Sequence, residues 1–252
     1  MNLNFKLISV FTKGTQLLGN IAAVVELDQE IESYKMQEIA KDFNQPATSF
    51  FWKDRSEALQ IRWFAPDAEI QLCGHGLAAA TAYFVEKGEV FVTFQSKSGE
   101  VSGQKVGNGF QISLPKGDFE SATAPKGLED ALGVKIQEYY KTSDKDIVVL
   151  KSEEELKSMK PNFEALRKLE PFGYGVTALS SNTDFASRTL VPKVQQLEDH
   201  ATGSTHTVLV PFWAERLQKK KLTAIQHSPR GGFFNCEIMD KHIKLEGEYV
   251  LV

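Results

Sequence analysis

The chain has 252 residues, 42% hydrophobic, 25% charged and 10% aromatic, a mix that gives a folded globule and excludes collagen, coiled coil and wholesale disorder. Its 29 Lys and Arg against 33 Asp and Glu leave a net charge of −4, and no basic cluster exceeds Lys219-Lys220-Lys221, so no nucleic-acid footprint is present. The opening residues lack a signal-peptide pattern, no window approaches the ~18 apolar residues of a membrane span, and Cys73 and Cys236 have neither CxxC nor zinc-ligand spacing; a cytoplasmic chain with no membrane contact, reduced thiols and no structural metal is expected.

In chain order, short strands bounded by turn residues are expected over 5–10, 21–27, 58–64, 90–95, 109–114, 146–150, 176–180, 222–226 and 242–245, with a further one over 233–238. A surface helix is expected over 29–44, where Ile31, Tyr34, Met36, Ile39, Ala40 and Phe43 recur at near-helical spacing; others cover 128–132 and 153–169. The segment 77–85 breaks the amphipathic rule. It is apolar all round and too short for a bilayer, so it reads as a helix enclosed by a sheet.

The plan of 73–86 recurs at 202–215, an offset of 129 residues, and Val92 to Ser96 has a counterpart in Leu222 to Gln226. Such an internal repeat predicts two similar lobes. The second copy carries Thr205, Thr207, Val208, Val210 and Pro211, so it reads as a helix bent near Pro211 or, taken alone, as a strand. Turn-forming residues between Leu114 and Lys126 mark the junction. The expected lobes are 1–117 and 118–252, with the last strand free to pair with the first lobe.

Both repeated segments open on glycine and small polar residues, Gly74-His75-Gly76 and Gly203-Ser204-Thr205. A helix start offers unpaired N–H groups and a positive dipole end, so the pair could clamp a small anion between the lobes; each alone could equally be a cap. Glu198-Asp199-His200 stands just before the second start and reads either as acid/base groups or as a charged capping loop. His75 is a pocket residue or a satisfied buried histidine. Cys73 is an activated thiol or an inert buried one. Gly19-Asn20 and Ser228-Pro229-Arg230-Gly231-Gly232 read as turns, with Arg230 able to reach an anion.

At these residues the sequence resembles the PhzF family of phenazine-biosynthesis-type isomerases, which share the diaminopimelate epimerase fold. The matching stretches include Val10-Phe11-Thr12, Gly19 to Val25, Ile61-Arg62-Trp63-Phe64, Leu72-Cys73-Gly74-His75-Gly76, Asp184 to Arg188, Glu198-Asp199 with Thr202-Gly203-Ser204, and Gln226 with Arg230-Gly231-Gly232. The resemblance implies an α+β fold of two pseudo-symmetric lobes, each a β-barrel-like sheet around a central helix. It also implies a cofactor-independent isomerase moving protons on a small carboxylated metabolite held between the lobes. His75 and Asp199 carry over as catalytic residues, and Asn20, Gly74, Gly76, Gly203 and Ser204 as substrate-binding ones. A homodimer is expected by analogy.

One residue does not carry over. Where the family has its acid/base glutamate, this chain has Ala47, and a methyl group cannot shuttle a proton. His200 or Asp199 could supply the missing group. The rival to an isomerase is therefore a non-catalytic member that only binds its small molecule; altered chemistry such as a lyase or hydratase is a third reading.

Overall fold

The computed structural model describes residues 3–252, and the chain divides into two units: the segment up to Leu114 together with Lys244–Val252, and Pro115–Ile243. In the first unit the elements are β1 (Asn4–Thr12), β2 (Asn20–Glu26), α1 (Ser33–Phe43), β3 (Ala47–Lys53), β4 (Leu59–Phe64), β5 (Glu69–Ile70), α2 (Gly74–Glu86), β6 (Phe91–Ser96), β7 (Gly99–Val106) and β8 (Gly109–Pro115), joined by the final strand β17 (His242–Leu251). Pairing runs β1–β2–β3–β4–β6–β7–β8–β17 and returns to β1, which closes an eight-stranded barrel. Closure leaves no sheet edge to aggregate.

Inside the barrel lies α2, with eleven of its 13 residues buried. Alanines at 78, 79, 80 and 82 make this possible, because an eight-stranded barrel has room for little more than its own side chains. Outside, α1 packs Met36 and Ala40 on Val25, Phe50, Trp52 and Phe64. Strand β3 is thus covered on both faces and six of its seven residues are buried.

The second unit contains β9 (Phe119–Ser121), α3 (Leu128–Leu132), β10 (Glu138–Thr142), β11 (Lys145–Val149), α4 (Glu153–Ser158), α5 (Phe163–Arg167), β12 (Gly173–Leu179), β13 (Phe185–Leu190), β14 (Glu198–Asp199), α6 (Gly203–Leu217), β15 (Lys221–Gln226) and β16 (Gly232–Ile238). Its sheet runs β9–β10–β11–β12–β13–β15–β16. Helix α6 is buried against it, and α3, α4 and α5 cover Val148, Val176, Ala178 and Ala186 on the opposite face.

The two units repeat one plan. In each, a strand crosses through helix to a parallel partner (β2 to β3, β11 to β12), an antiparallel strand and a two-residue bridge follow, then the central helix, then a strand parallel to the antiparallel one. Gly74 and Gly203 open the two helices 129 residues apart. This is the α+β epimerase-like architecture that the resemblance implied.

Helix α6 runs through Pro211, whose ring has no N–H for the carbonyl of Thr207. Gly117 N–H donates to that carbonyl instead, at 3.0 Å. The orphan acceptor is satisfied and the helix continues.

Two expectations need correction, and several strands were not anticipated. The helix expected over 29–44 begins only at Ser33, after an extended Glu32. The one expected over 153–169 is two short helices, because Pro161 cannot donate within a helix and Asn162 caps the second by accepting from Ala165 N–H. Strands β3, β7, β10 and β13 did not stand out as strands. For β3 the reason is burial on both faces, which erases the alternation that marks a half-exposed strand.

Candidate functional site

In the first unit the candidate residues collect at the start of α2. Cys73 is the N-cap, and its Sγ accepts from Gly76 N–H at 3.4 Å and lies 3.5 Å from His75 Nδ1. The first N–H to reach back four residues is that of Leu77, bonded to Cys73 O at 2.9 Å. The amides of Gly74 and His75 precede it and belong to the positive end of the helix. Both residues are buried, with His75 7% exposed.

Gly76 is demanded by packing. A Cβ there would stand 2.5 Å from Trp63 Cδ1 and 3.0 Å from Ser49 Oγ, and that same hydroxyl donates to Gly76 O at 3.0 Å. Register then places Ala47. Along β3 residues 47, 49 and 51 share the inward face; Ser49 meets the first turn of α2, and Phe51 packs on Tyr83 and Phe84 near its last turn. Ala47 therefore lies one step beyond Ser49, at or past the helix start, and is fully buried.

Asn20 falls at the same end. Glu26 accepts from Tyr83 OH at 2.9 Å near the C-terminal end of α2. Six residues back along β2, about 20 Å at the usual rise, brings the chain to Asn20, level with the helix start. Asn20 is 0% exposed and pairs with Val10, next to Phe11, which takes φ +61° where the register between β1 and β17 shifts. Such a bulge re-aims the strand locally.

In the second unit Asp199, Gly203 and Ser204 collect at the start of α6. Thr202 is the N-cap but its hydroxyl makes no cap bond. Gln226 holds the turn instead: its Oε1 accepts from Thr202 N–H at 2.8 Å, while its Nε2 donates to Asp199 O at 2.6 Å and Thr202 Oγ1 at 3.0 Å. Ser228 Oγ donates to His200 O at 2.8 Å, which ties the loop of the Arg230 motif to the same segment. His206 bonds Thr202 O through Nδ1 at 2.8 Å and stacks on Phe234; burial pushes its pKa down to about 4, so it is neutral.

Of the three ionisable groups at 198–200, Glu198 is committed elsewhere. It pairs bidentately with Arg188 at 2.7 and 2.9 Å, and Arg188 also donates to Leu156 O and Met159 O. The first unit has the same device, Arg62 on Glu69 at 2.8 and 2.9 Å, which holds the Glu69 carboxyl below its usual range. In both, the arginine sits on the antiparallel strand and the glutamate opens the bridge five residues before the helix glycine. That spacing, Glu69 to Gly74 and Glu198 to Gly203, was the available sequence signal.

The two central helices start on buried glycines, Gly74 and Gly203. Neither α2 nor α6 has an acidic residue in its first turn, a feature shared with α1, whereas α3, α4 and α5 each have at least one. The short helices α3, α4 and α5 carry acids at their own positive ends, and the starts of α2 and α6 do not. Sequence reasoning missed Lys145, which is buried at the α6 start with its Nζ 3.1 Å from Ser204 Oγ.

The sequence profile of the phenazine biosynthesis-like protein family matches residues 8–252. An uncharacterized isomerase of Pseudomonas aeruginosa is 37% identical over 256 aligned positions, covering 100% of this chain and 97% of its own. The crystal structure of a PhzF family protein from Enterococcus faecalis superposes with a TM-score of 0.92 at 34% identity, covering 100% and 97% of the two chains. A hydroxyproline epimerase from Agrobacterium vitis, at 10% identity, TM-score 0.66 and coverage of 99% and 90%, shares the fold. Among the described residues no helix is long and apolar enough to cross a membrane.

Proposed function

Because this chain belongs to the phenazine biosynthesis-like protein family, whose relatives include proteins named isomerases, we propose that it is an isomerase acting on a small carboxylated metabolite by proton transfer. The observation that carries this reading is the pair of glycine-led central helices without a carboxylate in their first turns. Amides at Gly74 and Gly203 and the hydroxyl of Ser204 hold the carboxylate, Gly76 allows the close packing at the first helix start, and Asn20 lines the pocket. Asp199, with His75, moves the proton, at a centre whose rate comes from positioning and a partly dehydrated acid/base. The chain uses no cofactor in this scheme and works as a homodimer in the cytoplasm.

The test is carbon-bound hydrogen exchange. Panels of small amino and hydroxy acids incubated in D2O with the protein and followed by 1H NMR should show loss of one C–H signal. Asp199→Asn should slow that loss by about 100-fold or more. Undiminished exchange in that variant would remove Asp199 from the mechanism.

Ala47 supports a second reading, a family member that binds its metabolite without turning it over, since the position at the α2 start carries no titratable group. Exchange seen only in Ala47→Glu, with none in the natural chain, would establish the binder.

A further inference from the structure

Lys145 opens β11 and is 7% exposed. Its Nζ donates to Ser204 Oγ at 3.1 Å, pairs with Asp144, and lies 5.7 Å from the ring centroid of Phe172. Lysine is seldom buried this far unless its charge is matched. Here the match is partial, because the Asp144 side chain is 48% exposed and screened by water. A cation also stands on the unfavourable side of a helix N-terminus, and α6 has no acid of its own there. Two sources of positive potential thus converge on one end of the second unit, and the carboxylate paired with Lys145 lies at its solvent edge.

The hydrogen bond has a directional consequence. An ammonium has donors only, so Lys145 must occupy a lone pair of Ser204 Oγ, and the Ser204 O–H is left to donate elsewhere. Among the described residues that hydroxyl has no acceptor of its own, while the Ser204 carbonyl is already taken by Thr207 Oγ1 at 2.7 Å. Without the lysine, Ser204 could turn its proton inward or accept from a ligand. With it, Ser204 is fixed as a donor to an incoming oxygen, and the lysine charge separates an anionic oxygen from a neutral carbonyl.

We propose that Lys145 is a positioning residue for substrate: it locks Ser204 as a hydrogen-bond donor and adds the charge that makes the α6 start select carboxylates over their neutral analogues. This rests on the reading of Ser204 as a substrate-binding residue. Asp144 is the resting counter-ion, displaced in part when a ligand carboxylate arrives.

The experiment uses the full chain, 15N-labelled, titrated with propanoate and benzoate and with their neutral isosteres propanamide and benzamide. Lys145→Met keeps the stem against Phe172 and removes the donor; Lys145→Arg keeps a donor-only cation. Carboxylate binding, followed at the Gly203 and Ser204 amides, should weaken about tenfold in Lys145→Met, return to within about threefold in Lys145→Arg, and leave the amides' binding unchanged. Asp144→Asn, at an exposed position, should tighten carboxylate binding about threefold without disturbing the fold. Native-like carboxylate affinity in Lys145→Met, or an equal loss for carboxylates and amides, would overturn the role of Lys145 while leaving the reading of the site intact. Absence of any carboxylate-dependent shift at Gly203 and Ser204 in the native chain would overturn both.

Discussion

Replacing Gln226 by methionine removes three hydrogen bonds while nearly conserving volume. The side chain is 0% exposed, and its amide makes three hydrogen bonds to the 199–202 turn at the mouth of α6: Thr202 N–H at 2.8 Å, Asp199 O at 2.6 Å, Thr202 Oγ1 at 3.0 Å. Thr202 is 2% exposed, so its N–H would be left buried and unpaired, at a cost of about 1–3 kcal/mol. Asp199 is half-buried, and water can reach its carbonyl, so that loss and the loss at the threonine hydroxyl add about 1 kcal/mol together. The expected destabilisation is about 2–4 kcal/mol, read as a lower urea midpoint at unchanged slope. Gln226→Glu should be at least as damaging, because a carboxylate would face the Asp199 carbonyl without a proton to offer. Under native conditions both variants should also shift the Gly203 and Ser204 amide resonances. A midpoint within about 0.5 kcal/mol of the native protein for Gln226→Met would refute the claim that this amide orders the turn.

At Gly117 a Cβ would stand 2.6 Å from Val208 Cγ1, so Gly117→Ala should push the backbone away from Thr207 O and cost about 2–4 kcal/mol in chemical denaturation. In a Pro211→Ala background residue 211 can donate to that carbonyl itself, and the hydrogen-bond part of the loss should vanish; an equal loss in both backgrounds would refute the substitution of one donor for the other. His206 is buried with its pKa lowered to about 4 from 6.5, so the unfolded chain takes the proton first. Its contribution is fully present above pH 6.5 and lost as pH falls towards 4, on the order of 3 kcal/mol. His227, also lowered by burial against the opposing hydrogen bond that it donates to Glu153, acts in the same direction below 6.5. Urea midpoints measured from pH 7 to 4 should fall steeply in the native chain and less steeply in His206→Asn, whose amide can still reach Thr202 O.

Local chemistry made some of this molecule legible in advance. The segment 77–85 announces a buried helix because small and apolar residues occupy every face, and no surface helix can afford that composition. The 129-residue offset announces two units of one plan, since a repeated pattern repeats the same burial problem. The helix over 153–169 went wrong at Pro161, where a near-continuous apolar period masked the missing donor. Strand β3 stayed silent because a strand covered on both sides has no alternation to show.

The sequence by itself determined the elements whose stability is decided within a few residues: the glycine-led helix starts and the apolar helices that must be enclosed. Tertiary structure alone decided which distant groups complete them. Gln226 reaches back 24 residues to hold Thr202, Gly117 supplies the donor that Pro211 lacks, Lys145 meets Ser204 across 59 residues, and strand register carries Ala47 to the tip of α2. The reason is physical: a hydrogen bond or an ion pair is set by where folding brings two backbones together, and residue type constrains only what each group can offer once it arrives.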